Sequence, residues 1–241
     1  FYRNVGILWD DSFFGNVQYF NGLKLQPDYG AEAVKTQNFG DRFAMDWSAQ
    51  FFPNNDKVDG SLNGRDVESD PNATMHNTST FRLVPTVKFG EKSSLAIGLS
   101  GLHQQIVRPV LIGNSFSINQ YAADATVTAG PLIAYVEGLK QNGELNDAAH
   151  PLSRPGYDTA TYLLAGARYQ VVKWLNARMN YSQARYKGQN AREEEYVPGL
   201  VFTLDKNSYI MTEFDYWIIN PAVGPNVLID RSYNVIFGYN F

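Results

Sequence analysis

Apolar and polar residues alternate with a period of two along most of this chain. The pattern is clearest at the C-terminus, where Tyr233, Val235, Phe237, Tyr239 and Phe241 occupy every second position. Successive side chains of a strand point to opposite faces of a sheet, so the pattern predicts a strand with one apolar face.

The same period returns in the segments upstream of that strand. The predicted apolar faces are formed by Phe43, Met45, Trp47, Ala49 and Phe51; Phe81, Leu83, Pro85, Val87 and Phe89; Leu95, Ile97 and Leu99; Tyr121, Ala123, Ala125 and Val127; Leu132, Ala134 and Val136; Leu163, Ala165, Ala167 and Tyr169; Leu175, Ala177, Met179 and Tyr181; Pro198, Leu200, Phe202 and Leu204; and Ile210, Phe214, Tyr216 and Ile218. Less regular strands are expected at 13–21 and 28–39. This gives about 12 strands, most of which reach the roughly 9 to 11 residues that a membrane strand needs. Pro85 and Pro198 lack the N–H that a mid-sheet position uses, which is costly unless the site is a bulge.

The connections between predicted strands alternate between short turns and longer polar loops. The short turns are 40–42, 90–93, 129–131, 171–173 and 205–207, and the longer loops are roughly 22–28, 54–79, 105–116, 142–157, 187–194 and 220–230. This alternation is the periplasmic-turn and extracellular-loop pattern of outer-membrane barrels. We therefore predict an all-β fold, a transmembrane antiparallel up-and-down β-barrel, as a single domain over residues 1–241. Its longest extracellular loop is 54–79.

Residues 1–12 form an N-terminal segment to which the pattern assigns no role. Residues 1–9 could add a further strand, and the resulting odd number would imply missing partners upstream. A barrel of about 12 strands and the C-terminal part of a barrel of about 14 to 16 strands are both compatible with the sequence.

The composition excludes several classes of protein. The mean hydropathy is -0.31, and no stretch approaches the roughly 18 consecutive apolar residues of a membrane-spanning helix. The absence of Cys excludes disulfides and thiolate sites. The net charge of -4 is mild and no Lys/Arg cluster stands out, so we expect no nucleic-acid partner.

The same alternation also occurs in soluble sandwiches and lipocalins, whose apolar face points inward to a core. Two features argue against that alternative. The polar faces are rich in Asn, Gln, Ser, Thr and Arg along whole strands. The aromatic residues gather near strand ends, as they do in the interfacial girdles of membrane barrels.

If the apolar face meets lipid, the opposite face lines a water-filled interior. The predicted pore-lining residues are Asp46, Arg82, Lys88, Asp124, Glu137, Arg168, Arg178, Glu213 and Asp215. Arg168 and Arg178 should lie nearly opposite each other as a basic rung, and Glu213 and Asp215 should form an acidic rung. Opposed rungs across a pore would create a transverse field that screens ions by sign. The alternative is that these charges pair with each other in a wet interior.

Other chemistry has weaker support in the sequence. The Asp residues of the 54–79 loop do not have the spacing of a calcium-binding loop. Hydrolysis would need one of the three histidines, His76, His103 or His150, next to a Ser and an orienting carboxamide or acid. No Gly-x-Ser-x-Gly or His-Glu-x-x-His pattern is present. We expect no catalytic residues, no metal and no cofactor.

The C-terminal segment also resembles a known signal. A terminal Phe241 preceded by alternate apolar and aromatic positions resembles the closing-strand signature by which outer-membrane barrels are recognised for insertion. Residues 19–52 resemble, in style, the middle of phosphate-selective-type porins, which implies a homotrimer of barrels with about 16 strands each. No lysine-rich constriction is visible, so no phosphate-binding residues are carried over.

The expected function is therefore that of a porin in the outer membrane of a Gram-negative bacterium. It would be a passive diffusion channel for small hydrophilic solutes or ions, in contact with membrane lipid and lipopolysaccharide. One alternative is a scaffolding barrel whose loops bind an envelope partner. The other is an outer-membrane hydrolase.

Overall fold

The computed structural model describes residues 30–55, 74–107, 115–145, 157–186, 192–220 and 227–239. All the elements in these ranges are strands. In chain order they are β1 (Ala31–Phe39), β2 (Phe43–Asn55), β3 (Thr74–Gly90), β4 (Ser93–Val107), β5 (Ser115–Ala129), β6 (Leu132–Leu145), β7 (Tyr157–Val172), β8 (Leu175–Tyr186), β9 (Arg192–Thr203), β10 (Ser208–Asn220) and β11 (Leu228–Tyr239). They correspond to the predicted strands except the one at 13–21, which lies outside the described residues.

The strands form one sheet in sequence order. Each strand pairs antiparallel with the next along the chain, giving an 11-stranded sheet with the order β1 to β11. The prediction of an all-β, antiparallel, up-and-down fold is therefore confirmed. Within the described residues β1 and β11 do not pair with each other, so this part of the chain is an open sheet.

The five short turns that the sequence predicts all lie at one end of the strands, which we call the turn edge. Gly40 and Gly130 lie in two of them with φ values of 72° and 57°. This left-handed conformation is one that glycine adopts without steric cost. The turns between β1 and β2 and between β5 and β6 therefore depend on glycine.

At the opposite end, where the longer loops connect the strands, the strands are longer than predicted. β3 begins at Thr74, β6 continues to Leu145 and β9 begins at Arg192, within segments that we predicted as loops at 54–79, 142–157 and 187–194. The physical reason is that the ladder is held by backbone hydrogen bonds, which continue through polar residues. The apolar period ends before the strand does.

The sheet has two chemically different faces. Residues directly opposite each other in a ladder share a face, and the registers place the predicted apolar positions on one side, which we call the apolar face. The alternate positions form the polar face. The polar face is the buried one: Glu137 and Glu213 are 0% and 1% exposed, whereas Tyr233 and Phe237 on the apolar face are 68% and 67% exposed. A soluble sandwich buries its apolar face instead, which is the reverse of the arrangement in the described strands.

Pro85 and Pro198 both lie on the apolar face, as predicted, but neither sits in a bulge. The ladder between β3 and β4 has the same register at Leu83 and at Thr86, on either side of Pro85. The ladder between β9 and β10 likewise keeps its register across Pro198. Each strand therefore absorbs the missing N–H with a local gap in pairing on one side only.

Candidate functional site

The nine residues predicted to line a pore all lie on the polar face. Arg168 is directly opposite Arg178, as the sequence predicted, and Asp124 is directly opposite Glu137. Asp124, Glu137, Arg178, Glu213 and Asp215 are buried, Arg82 and Arg168 are partly exposed, and Asp46 and Lys88 are exposed. The structure therefore collects these charges on one surface, and a role in lining a pore stays a prediction.

Several polar side chains cross the neighbouring strand and contact a residue on the strand beyond it. Arg82 of β3 crosses β4 and binds Asp124 of β5 through two hydrogen bonds, Nη1 to Oδ2 at 2.6 Å and Nη2 to Oδ1 at 3.0 Å. Gly98 of β4 lies opposite Asp124, and a Cβ at Gly98 would collide with the Asp124 carboxylate. The crossing is possible because Gly98 has no side chain.

The second crossing joins β6 to β8. The Tyr135 hydroxyl donates a hydrogen bond to Oδ1 of Asn180 over 2.5 Å. Gly166 of β7 lies opposite both residues. A Cβ at Gly166 would lie 2.5 Å from Asn180 Oδ1 and 2.5 Å from the Tyr135 hydroxyl oxygen, so this crossing also depends on a glycine.

The third crossing joins β8 to β10. Arg178 forms an ion pair with Glu213, and the two side chains are only 4% and 0% exposed. Gly199 of β9 lies opposite both, and a Cβ there would lie 3.2 Å from Arg178 Nε. We call these three contacts the strand-crossing pairs.

The strand-crossing pairs change the predicted electrostatics. We expected a basic rung and an acidic rung on opposed walls, but Arg178 binds Glu213 two strands away on the same wall. Each charge is then neutralised at its own position, since a buried ion pair has no net charge. For Arg178 with Glu213, and for Arg82 with Asp124, this is the arrangement of the alternative prediction, in which the charges pair with each other. For Arg168 and Asp215 the rungs stay a prediction.

Two further acidic residues of the polar face were missed by sequence reasoning. Glu193 accepts a hydrogen bond from the Tyr186 hydroxyl at 3.0 Å, and Glu195 accepts one from Ser182 Oγ at 2.9 Å. Both glutamates are 1% exposed. Glu193 was missed because it falls in 187–194, which was predicted as a loop, and Glu195 was missed because it lies between that loop and the apolar period predicted from Pro198 onward. Glutamates at alternate positions directly before the apolar period of 196–204 were the available signal.

Aromatic rows border the apolar face at both ends of the strands. Tyr181, Tyr196 and Tyr216 follow one another across β8, β9 and β10, with ring centroids 4.9 and 6.4 Å apart. The Arg231 guanidinium carbon lies 5.4 Å from the centroid of the Tyr216 ring. One row further from the turns, Glu194 of the same face accepts hydrogen bonds from the Tyr181 hydroxyl and from Gln183. The tyrosine row is therefore where the apolar surface gives way to a polar one.

The turn edge has aromatic pairs of its own. Phe39 and Phe43 flank the turn between β1 and β2, with ring centroids 5.4 Å apart. Trp174 stacks on Phe202 with centroids 6.3 Å apart. Aromatic side chains thus bound the apolar face at this edge as well.

The predicted membrane-insertion signature falls on β11. Tyr233, Val235 and Phe237 are on the apolar face and more than half exposed. The side chains of Tyr239 and Phe241 lie outside what the structure describes. Recognition of this strand for insertion stays a prediction.

One histidine has a defined environment on the apolar face. His103 of β4 is directly opposite Ser79 of β3 and Asn119 of β5, and its Nδ1 is 2.8 Å from Asn119 Oδ1. His150 and the acidic part of the 54–79 loop lie outside the described residues. Within the described strands, no group of three or more His, Asp or Glu residues could hold a metal ion.

Known proteins give no guide to this arrangement, because no family model matches the chain and no curated protein or solved structure is significantly similar to it.

Proposed function

We propose that the chain forms a β-barrel, or the C-terminal part of one, in the outer membrane of a Gram-negative bacterium, and that it lets small hydrophilic solutes or ions cross by passive diffusion. The observation that carries this proposal is the inversion of burial between the two faces. The charged face is the buried one, and the exposed face is apolar on most strands between the aromatic rows, with Lys35 and Gln37 of β1 as exceptions. Lipid is the solvent that such an outer face fits.

The dimensions of the apolar face support the proposal. A membrane strand that is tilted by about 45° needs about 9 to 11 residues. The apolar band of outer-membrane barrels is about 25 Å tall. The strands themselves have 9 to 17 residues, which is long enough to cross that band when tilted.

The edge strands support closure into a barrel. β1 and β11 each carry a row of backbone groups without a strand partner in the described sheet. In lipid every such group needs a partner, so a membrane sheet must close on itself or on further strands. The strand predicted at 13–21 could supply part of that closure.

β1 also supports contact with another protein surface. Lys35 and Gln37 lie opposite Trp47 and Met45, and so on the apolar face. Polar side chains at these positions are unfavourable against lipid, and a homotrimer contact would cover them. Membrane lipid and lipopolysaccharide would then surround the remaining strands.

Single-channel conductance of the refolded chain in a planar bilayer tests the proposal. Stable conductance steps are expected, and a salt gradient reads the sign of selectivity. Lys88 is exposed on the polar face, so Lys88→Glu should shift the reversal potential towards cations. Lys173→Glu, in the turn between β7 and β8, changes the net charge equally and should have a smaller effect. A folded, inserted chain that never conducts would refute the diffusion channel.

A silent barrel would favour the scaffolding alternative. The observation on its side is the dense packing of the polar face, where Tyr162 packs edge-on against Tyr186 with both rings 3% exposed. If such packing continues across the lumen, the wall is structural and the loops are the functional part.

A further inference from the structure

We propose that Ser79, His103 and Asn119 form a row that hydrolyses acyl esters of membrane lipids. Ser79 would be the nucleophile, His103 the base and Asn119 the residue that positions the base. The row lies on the apolar face and so stands apart from the polar face and from solute diffusion. It relies on the proposed membrane location only for access to its substrate.

The register brings the three residues together from three different strands. Ser79 of β3 is the direct partner of His103 of β4, and His103 is the direct partner of Asn119 of β5. Side chains directly opposite each other on one face have Cβ atoms about 4.5 to 5.5 Å apart. A serine hydroxyl and an imidazole at this spacing can form a hydrogen bond by rotating about their χ angles.

Asn119 orients the imidazole for the role of a base. His103 Nδ1 lies 2.8 Å from Asn119 Oδ1. With Nδ1–H donating to that oxygen, the lone pair of the neutral ring is on Nε2. Nε2 has no hydrogen-bond partner among the described residues, and the His103 side chain is exposed. A base whose second nitrogen is held by a carboxamide is one of the known variants of the nucleophile–base–orienter arrangement.

The backbone beside Ser79 is irregular. The register between β3 and β4 shifts between His76 and Ser79. Asn77 within this bulge has a φ of 49°, a left-handed conformation that is uncommon for residues other than glycine. Bulges and strained residues of this kind are concentrated at functional sites, where they aim a side chain.

The surroundings fit an acyl chain as the substrate group. Phe51 is the direct partner of Ser79 on β2 and is 47% exposed. One row towards the turns, Phe81 and Tyr121 are 54% and 56% exposed on either side of Gly101. A lipid ester would place its acyl chain along these rings. Its carbonyl group would then lie at the row formed by Ser79, His103 and Asn119.

The chemistry balances without a cofactor. Ser79 Oγ attacks the ester carbonyl carbon while its proton passes to His103 Nε2. The tetrahedral intermediate then expels the alcohol, which takes that proton as the C–O bond breaks. Water attacks the acyl-serine, its proton passing through His103 to Oγ, and a fatty acid leaves.

The test measures fatty-acid release from a diacyl phosphatidylcholine in mixed micelles by the refolded 241-residue chain. Ser79→Ala and His103→Ala should each lower the rate at least about a hundredfold. Ser93→Ala is the matched control, because Ser93 lies on the same face at the turn edge, opposite Ala129. Its rate should equal that of the wild type. Circular dichroism of each variant checks that the sheet is intact.

Asn119 is tested by rescue, since it acts through His103. Asn119→Leu should lose activity, whereas Asn119→Asp, which still accepts the Nδ1–H, should retain it. A purely structural role would not separate these two variants in this direction.

The proposal is overturned if the folded wild type releases no fatty acid, or if Ser79→Ala releases it as fast as the wild type. Conductance measured on the same variants keeps the two proposals apart. Ser79→Ala should conduct like the wild type, so a silent channel with intact hydrolysis would refute only the diffusion function. A conducting channel without hydrolysis would refute only the ester site.

Discussion

Replacing Gly166 with alanine should destabilise the sheet far more than a single methyl group ordinarily does. The added Cβ would lie 2.5 Å from Asn180 Oδ1 and 2.5 Å from both Cζ and the hydroxyl oxygen of Tyr135. The methyl and the Tyr135 ring cannot occupy this space together, so the ring must leave and the Tyr135–Asn180 hydrogen bond must break.

The cost can be worked from its parts. Overpacking with displaced side chains costs about 1 to 3 kcal/mol. Leaving the buried Asn180 amide oxygen without its donor costs about 1 to 3 kcal/mol more. We therefore expect Gly166→Ala to lower the free energy of unfolding by about 2 to 6 kcal/mol, measured by urea titration of tryptophan fluorescence in lipid vesicles.

Gly138 provides a matched control on the neighbouring strand. A Cβ at Gly138 would meet nothing within 4 Å, so Gly138→Ala should change stability by less than about 0.5 kcal/mol. A double-mutant cycle isolates the cause. In a Tyr135→Val background the ring is gone and the Asn180 side chain can turn into the space it leaves, so Gly166→Ala should cost clearly less than in the wild type. A full-sized cost in that background, or no cost in the wild type, would refute the reasoning.

Three other substitutions test the sheet elsewhere. Arg178→Met should lower the free energy of unfolding by about 3 to 5 kcal/mol, because it leaves Glu213 buried without Arg178. Adding Glu213→Gln should recover part of this loss in the same urea titration. An equal loss in the double variant would contradict the reasoning. Gly130→Val should destabilise by about 1 to 2 kcal/mol because φ there is 57°, whereas Gly90→Val, in open space without a positive φ, should cost clearly less. Hydrogen bonds from the Ser208 hydroxyl and from the backbone N–H groups of Asn207 and Ser208 lower the pKa of Asp205 below its usual value. Asp205 therefore adds stability above the ordinary Asp pKa, and this is lost as the pH falls through the lowered one; unfolding midpoints of wild type and Asp205→Ala measured against pH should converge at low pH, and a constant gap would contradict the assignment.

The faces of the sheet were predictable because they follow from a local rule. A period of two decides which residues share a side, and the short turns show where the chain reverses. For that reason Arg168 and Arg178 could be placed opposite each other, and the apolar positions of ten of the eleven described strands could be assigned, before any register was known.

The contacts between strands were not predictable in the same way. That Arg178 reaches Glu213 rather than facing an opposed wall depends on Gly199 and on the registers of two ladders. Ser79, His103 and Asn119 are 24 and 16 residues apart, and a shift of one residue in either ladder would separate them. Strand ends were also missed, because backbone pairing continues into polar sequence such as Glu193.

The placement of the strand-crossing pairs bears on how the sheet can change in evolution. In an up-and-down sheet the hairpin is the natural unit of duplication or loss, since each strand touches only its neighbours. Here one crossing pair joins the hairpin β3–β4 to β5–β6, the next joins β5–β6 to β7–β8, and the third joins β7–β8 to β9–β10. Deleting any one of these hairpins would leave at least one residue of a strand-crossing pair without its partner, so these four hairpins should be inherited together. Hairpins added at the ends of the sheet would break none of these pairs.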